Sequence, residues 1–154
     1  MKKLNKKTII LLSIIAIVAV FVTSAITLAM SPRKDLKPSD YNIGTTYELA
    51  VVDKKPMITL FYTNWCTYCM RFMPKYKMIA DIYKDKYNFV MIDVENPKYK
   101  KLVKDYSISG FPTIYIIDPS IDNRISINNG IYDDLSKLRG EFDRYLRIKA
   151  MIKP

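Results

Sequence analysis

Residues 57–69 read Met57-Ile58-Thr59-Leu60-Phe61-Tyr62-Thr63-Asn64-Trp65-Cys66-Thr67-Tyr68-Cys69. The first six are mostly apolar, run to strand length and follow Pro56, which predicts a buried β-strand. After the cysteines comes a long amphipathic stretch to about Tyr87, interrupted by Pro74. The cysteine pair therefore stands where a buried strand hands over to a helix. If that helix starts near Cys66, residues i and i+3 share a face, and sulfurs at 66 and 69 can close a small disulfide ring. Free N–H groups and the positive dipole end in the first turn favour a thiolate at Cys66. Cys69, one turn further in, is expected to be more buried and to stay a thiol until it resolves a mixed disulfide. Thiol–disulfide exchange needs nothing more, so neither metal nor cofactor is expected.

Working outward, Thr45-Thr46-Tyr47-Glu48 fits a capping box that opens a short helix through about Val52. Downstream, Phe89-Val90-Met91-Ile92-Asp93-Val94 predicts a second buried strand, 98–106 a short helix and 113–117 a third strand. The stretch 118–124 turns the chain into a fourth strand around Ile125-Ser126-Ile127, ended by Asn129-Gly130. Asp133 is expected to cap a last helix with Leu135, Leu138, Phe142 and Leu146 inward. The order α-β-α-β-α-β-β-α implies a right-handed parallel crossover followed by an antiparallel hairpin. The expected fold is a three-layer α/β domain with a mixed four-stranded sheet. Tyr76, Tyr83 and Tyr87 read as a packed stripe, and Lys98, Lys100, Lys101 and Lys104 as a solvated helix face.

At 154 residues the chain holds one domain of ordinary size. The absence of histidine excludes Ser-His-Asp and Cys-His catalysis, Cys2His2 zinc sites and haem attached through C-x-x-C-H. Two cysteines make one disulfide at most, which excludes a disulfide-stapled miniature fold. The net charge of +10 is unevenly placed: residues 1–39 hold seven basic side chains against one acidic, and the remaining 115 carry only +4. The excess flanks an apolar run, as membrane topology requires, and supports no nucleic-acid footprint.

That run, 8–30, has 23 residues without a charge and makes a helix of about 35 Å, enough to cross a hydrocarbon core of about 30 Å. It exceeds the usual signal-peptide core, and Thr27-Leu28-Ala29 is a poor cleavage site, so an uncleaved anchor is expected over a cleaved signal. The divisions are a basic N-terminus at 1–7, a transmembrane helix at 8–30, a linker at 31–40 and a folded domain at 41–154. Four lysines precede the helix and three basic residues follow it, placing the N-terminus in the cytoplasm and the domain outside.

A bare C-x-x-C is weak, but its context resembles the thioredoxin superfamily over about residues 45–148. The matching pieces are Phe61 through Cys69, Pro74, Ile92-Asp93-Val94-Glu95-Asn96-Pro97, Ser109-Gly110-Phe111-Pro112-Thr113 and Asn129-Gly130. The resemblance implies a redox-active Cys66–Cys69 disulfide, a kink at Pro74, and a cis proline at Pro112 facing the cysteines. Trp65, Tyr68 and Phe111 are then an apolar rim that docks an extended substrate, with Pro112 holding that surface. With the anchor, the chain resembles membrane-tethered thioredoxin-like proteins that reduce or relay disulfides outside the cytoplasm. Its implied partners are protein disulfides, apocytochromes among them, and a membrane thiol that supplies electrons.

Two departures from the family pattern matter. The family's buried acid, six residues before the first cysteine, is here Leu60, so Cys69 must lose its proton to water or another group. The dipeptide Thr67-Tyr68 contains no histidine to stabilise a Cys66 thiolate, which points toward the reducing end, with Arg71 the nearest cation opposing it. The alternatives are a disulfide-forming oxidase, a Cu(I) carrier using Met70, Met73 and Met78 beside the cysteines, or a redox-inert chaperone.

Overall fold

The computed structural model describes residues 5–29 and 36–152. Lys2, Lys3, the expected helix end at Met30 and the linker residues 31–35 lie outside the described residues. The chain divides into two compact units, Met1–Asp35 and Leu36–Pro154. In the first, helix α1 spans Lys6–Ala29, long and apolar enough to cross a membrane. Its polar side chains turn back on the helix: Ser13 donates to the Ile10 carbonyl at 2.8 Å and Thr23 to that of Ala19 at 2.9 Å.

The second unit carries α2 (Tyr47–Asp53), β1 (Met57–Tyr62), α3 (Thr67–Tyr83), β2 (Asn88–Asp93), α4 (Lys100–Asp105), β3 (Thr113–Asp118), β4 (Asn123–Ser126) and α5 (Leu135–Ile152). The sheet order is β2-β1-β3-β4, with β1 parallel to β2 and antiparallel to β3, and the β3–β4 hairpin antiparallel. The expected α/β order and mixed four-stranded sheet are therefore present. Strand β1 is central and buried along its whole length, which explains its nearly unbroken apolar run. Alternation sorts its side chains: Ile58, Leu60 and Tyr62 enter a core with α3 and α5, while Met57 and Phe61 face α2 and α4.

Several element ends differ from expectation. Thr46, not Thr45, caps α2, accepting the Leu49 N–H at 3.4 Å. Thr45 is drawn away because its own N–H donates to Phe89 O at 2.8 Å, and Glu48 pairs with Lys98 at 3.0 Å instead of closing a box. Gly44 sets up that contact: its φ is +71°, and a Cβ there would stand 1.9 Å from the Phe89 carbonyl oxygen.

Helix α3 stops at Tyr83, four residues short, where the Lys86 and Tyr87 N–H groups share the Tyr83 carbonyl. The tyrosine stripe is nonetheless buried: Tyr87 donates to Phe142 O at 2.7 Å, Tyr83 to Arg139 O at 3.4 Å, and Tyr76 to the carbonyls of Ile58 and Val90. The cap of α5 is Asp134, whose carboxylate takes the Ser136 and Lys137 N–H groups, because Asp133 is engaged by Lys75. Within the stretch read as linker, Pro38–Asp40 form a 3₁₀ turn with Pro38 buried, and the Ser39 N–H donates to Asn64 at 3.0 Å.

A second polar cluster lies at the far end of β3. Asp118 is fully buried and accepts from Tyr145 at 2.7 Å, from Ser120 and from Lys149. Burial alone would raise its carboxyl pKa, but these donors together outweigh that and hold it below the usual value.

Candidate active site

The turn from β1 into α3 places the two cysteines. Cys66 is itself the N-cap of α3, one residue before the first helical position, with extended backbone. Its sulfur accepts the Cys69 N–H at 3.1 Å, satisfying one of the free donors of the first turn. On its other side the Cys66 thiol faces the Phe111 carbonyl at 3.6 Å. Cys66 is 6% exposed and Cys69 is fully buried, and both are free thiols.

Burial is the chief cause that pushes the Cys69 thiol up to about 12; the adjacent Cys66 sulfur pushes the same way, and backbone N–H groups at Thr63 and Cys69 offset them only in part. Leu60, in the place of the family's acid, is fully buried in the same apolar core as Cys69. The arrangement is an outer sulfur at a helix N-terminus backed by a buried thiol that holds its proton.

The other residues singled out from the sequence converge on this point. The Phe111–Pro112 peptide bond is cis. Trp65 and Phe111 meet edge to face, their centroids 6.2 Å apart at 90°, and the Trp65 indole donates to Glu95 at 3.0 Å. Trp65 and Tyr68 are 64% and 72% exposed, so both present large apolar surface beside a nearly covered sulfur. Of the three methionines, Met70 is half-buried, Met73 is fully buried in the core that also holds both cysteines, and Met78 is exposed nine residues past Cys69, about 13.5 Å along α3.

Three supporting residues were not singled out. Asn64 donates to Asp93 at 3.2 Å and so ties the cysteine turn to the end of β2. Phe72 lies against Tyr132 with centroids 5.5 Å apart. The Tyr132 hydroxyl accepts the Ile114 N–H at 2.8 Å and donates to Ile127 O at 3.0 Å. Because Ile127 N–H already donates to Ile114 O, that hydroxyl is spliced into the β3–β4 ladder just after Pro112. Tyr132 falls in no periodic segment, so its sequence carried no signal of this role; its place shortly after Asn129-Gly130 was the only hint.

A model of the thioredoxin family matches residues 41–137. The chloroplastic thioredoxin-like protein HCF164 of Arabidopsis thaliana is 32% identical over 117 residues, covering 76% of this chain and 42% of that protein. The thiol:disulfide interchange protein TxlA of Synechococcus elongatus is 35% identical over 69 residues, covering 45% of this chain and 36% of that protein. The crystal structure of the germline-specific thioredoxin Deadhead from Drosophila melanogaster shares the fold, with a TM-score of 0.51 at 23% identity over 61% of this chain and 87% of that one. The chain thus spans about two fifths of the length of the curated relatives it matches.

Proposed function

Because the chain belongs to the thioredoxin family, we propose that it is a thiol–disulfide oxidoreductase anchored by α1, with Cys66 as nucleophile and Cys69 as resolving thiol. It reduces disulfides of proteins outside the cytoplasm. One observation carries the reading: the Cys66 sulfur accepts the Cys69 N–H at the start of α3, and the Cys69 thiol is buried one turn behind it. The Cys66 thiolate attacks a substrate disulfide, forming a mixed disulfide and releasing one substrate thiolate, which takes a proton. Cys69 then loses its proton and attacks the Cys66 sulfur. The Cys66–Cys69 disulfide forms, the second substrate thiol leaves, and two electrons have passed to the substrate.

The reducing direction is supported by the partners of the Cys66 sulfur, an amide N–H and a carbonyl, neither of them a cation. A thiolate without such a stabiliser leaves the disulfide less oxidising. A pair oxidised in each turnover must be recharged, and a thiol carrier in the same membrane is the proposed donor. The four lysines that precede the apolar run support a cytoplasmic N-terminus with the cysteines outside.

The test is insulin reduction by the full chain in detergent with a dithiol reductant, together with equilibration of the pair against glutathione. Turnover with a potential well below that of strong oxidants is expected. A potential of about −120 mV overturns the reducing direction in favour of an oxidase. No turnover overturns the enzyme reading in favour of a binding module. Cys69→Ser in the native membrane should accumulate mixed disulfides at Cys66 that identify the substrates.

A further inference from the structure

Beside Cys66 a groove of about 480 Å³ runs between the first turns of α3 and the 129–133 segment, opening at the Phe111–Pro112 loop. Its walls are largely aromatic, with Tyr68, Phe72, Phe111 and Tyr132 on them, and two ionic side chains reach it, Arg71 and Asp133. Asp133 is paired with Lys75, whose ammonium lies 2.5 Å from its carboxylate. On the opposite flank, Glu95 receives the Trp65 indole N–H, while Asp93 receives Asn64 and the Glu95 N–H. Arg71 is exposed and, among the described residues, enters no hydrogen bond, ion pair or cation–π contact. The groove next to the reactive sulfur therefore carries one uncommitted charge, a guanidinium set among aromatic rings.

Arg71 lies five residues past Cys66, about 7.5 Å further along the helix axis and about 140° around it, on the face that lines the groove. In an extended peptide, residues two apart point to the same side and are separated by about 6.6 Å. A substrate strand whose cysteine meets Cys66 and whose neighbouring side chains enter the groove brings one of them toward the guanidinium. Arginine binds carboxylates through paired N–H donors.

Resting on the oxidoreductase reading above, we propose that Arg71 selects among disulfide substrates, favouring those with an aspartate or glutamate within two residues of the reactive cysteine. The apolar rim accepts the strand, and Arg71 discriminates by charge. Lysine at the same position is disfavoured by like-charge repulsion.

The experiment uses the full chain, reduced beforehand, in detergent. The substrates are short peptides whose single cysteine is capped as a disulfide with 2-mercaptoethanol, differing only in Glu, Gln or Lys at one or two residues before or after it. Single-turnover rate constants are read from the released peptide thiol. In one of these registers, Glu is expected to exceed Lys by about fivefold to tenfold at low salt, the gap narrowing at high salt. The ratio within each variant is the readout: Arg71→Gln brings it to about one, Arg71→Glu inverts it and Arg71→Lys retains most of it. Equal rates for all three peptides in every register, or an unchanged ratio in Arg71→Gln, overturn the selectivity while leaving the oxidoreductase reading intact. Reduction of none of the peptides overturns both.

Discussion

The buried state of Cys69 sets the pH dependence of the second chemical step. Raising its thiol from 9.0 to about 12 disfavours the thiolate by about 4 kcal/mol. Part of that displacement comes from the Cys66 sulfur, which becomes a neutral disulfide sulfur in the mixed disulfide; burial, the largest cause, remains. Cys69 in the intermediate should therefore titrate between 9.0 and about 12, with only a small thiolate fraction at neutral pH. The resolving rate is then proportional to hydroxide: about tenfold per pH unit, or about 100-fold from pH 6.5 to 8.5. Stopped-flow reaction of the reduced chain with 5,5′-dithiobis(2-nitrobenzoate) separates the steps, since attack by Cys66 and resolution by Cys69 each release one coloured thiolate. Cys69→Ser should remove the second phase and keep the first. A second phase that levels off below about pH 8 would refute the reasoning, because it would mean that Cys69 ionises with help that its apolar surroundings do not supply.

Three further outcomes concern stability, each read from urea unfolding. Lys149→Met leaves the buried Asp118 carboxylate with only Tyr145 and Ser120 and should cost about 3 kcal/mol at pH 7. Because the folded Asp118 pKa is depressed, its contribution is present above the ordinary value of 3.8 and is lost as pH falls through the lower folded value, so the difference between variant and parent should shrink there. Tyr132→Phe removes the hydroxyl between Ile114 N–H and Ile127 O and should cost about 1–3 kcal/mol; a neutral result would mean that the ladder closes on its own. Gly44→Ala meets both a left-handed φ and the Phe89 carbonyl, and a loss of at least about 2 kcal/mol is expected.

Much of this molecule was legible from period and punctuation. The apolar run of β1 and the three-residue cysteine spacing both appear where expected, because local steric rules and burial act on neighbouring residues. Element ends were less legible. Thr45 and Asp133 each satisfy a local capping rule, yet both are claimed by residues distant in sequence, Phe89 and Lys75. The helix after the cysteines reads as continuing to Tyr87, but that side chain is taken by the Phe142 carbonyl on α5. For Thr45 and Tyr87 the partner is the carbonyl of a buried residue, Phe89 or Phe142, and such a bond outweighs a capping preference worth about 1 kcal/mol.

The same division runs through the site. The sequence alone determined the type and spacing of the two cysteines, the aromatic residues beside them and the leucine at position 60, because these are matters of residue identity and short spacing. Only the tertiary structure decided that Phe111, 45 residues away, offers its carbonyl to Cys66, that Tyr132 holds the strand after Pro112, and that Arg71 remains the uncommitted charge beside the sulfur. Those facts depend on which distant groups use up each other's hydrogen bonds and charges, a competition settled when the sheet and helices pack together.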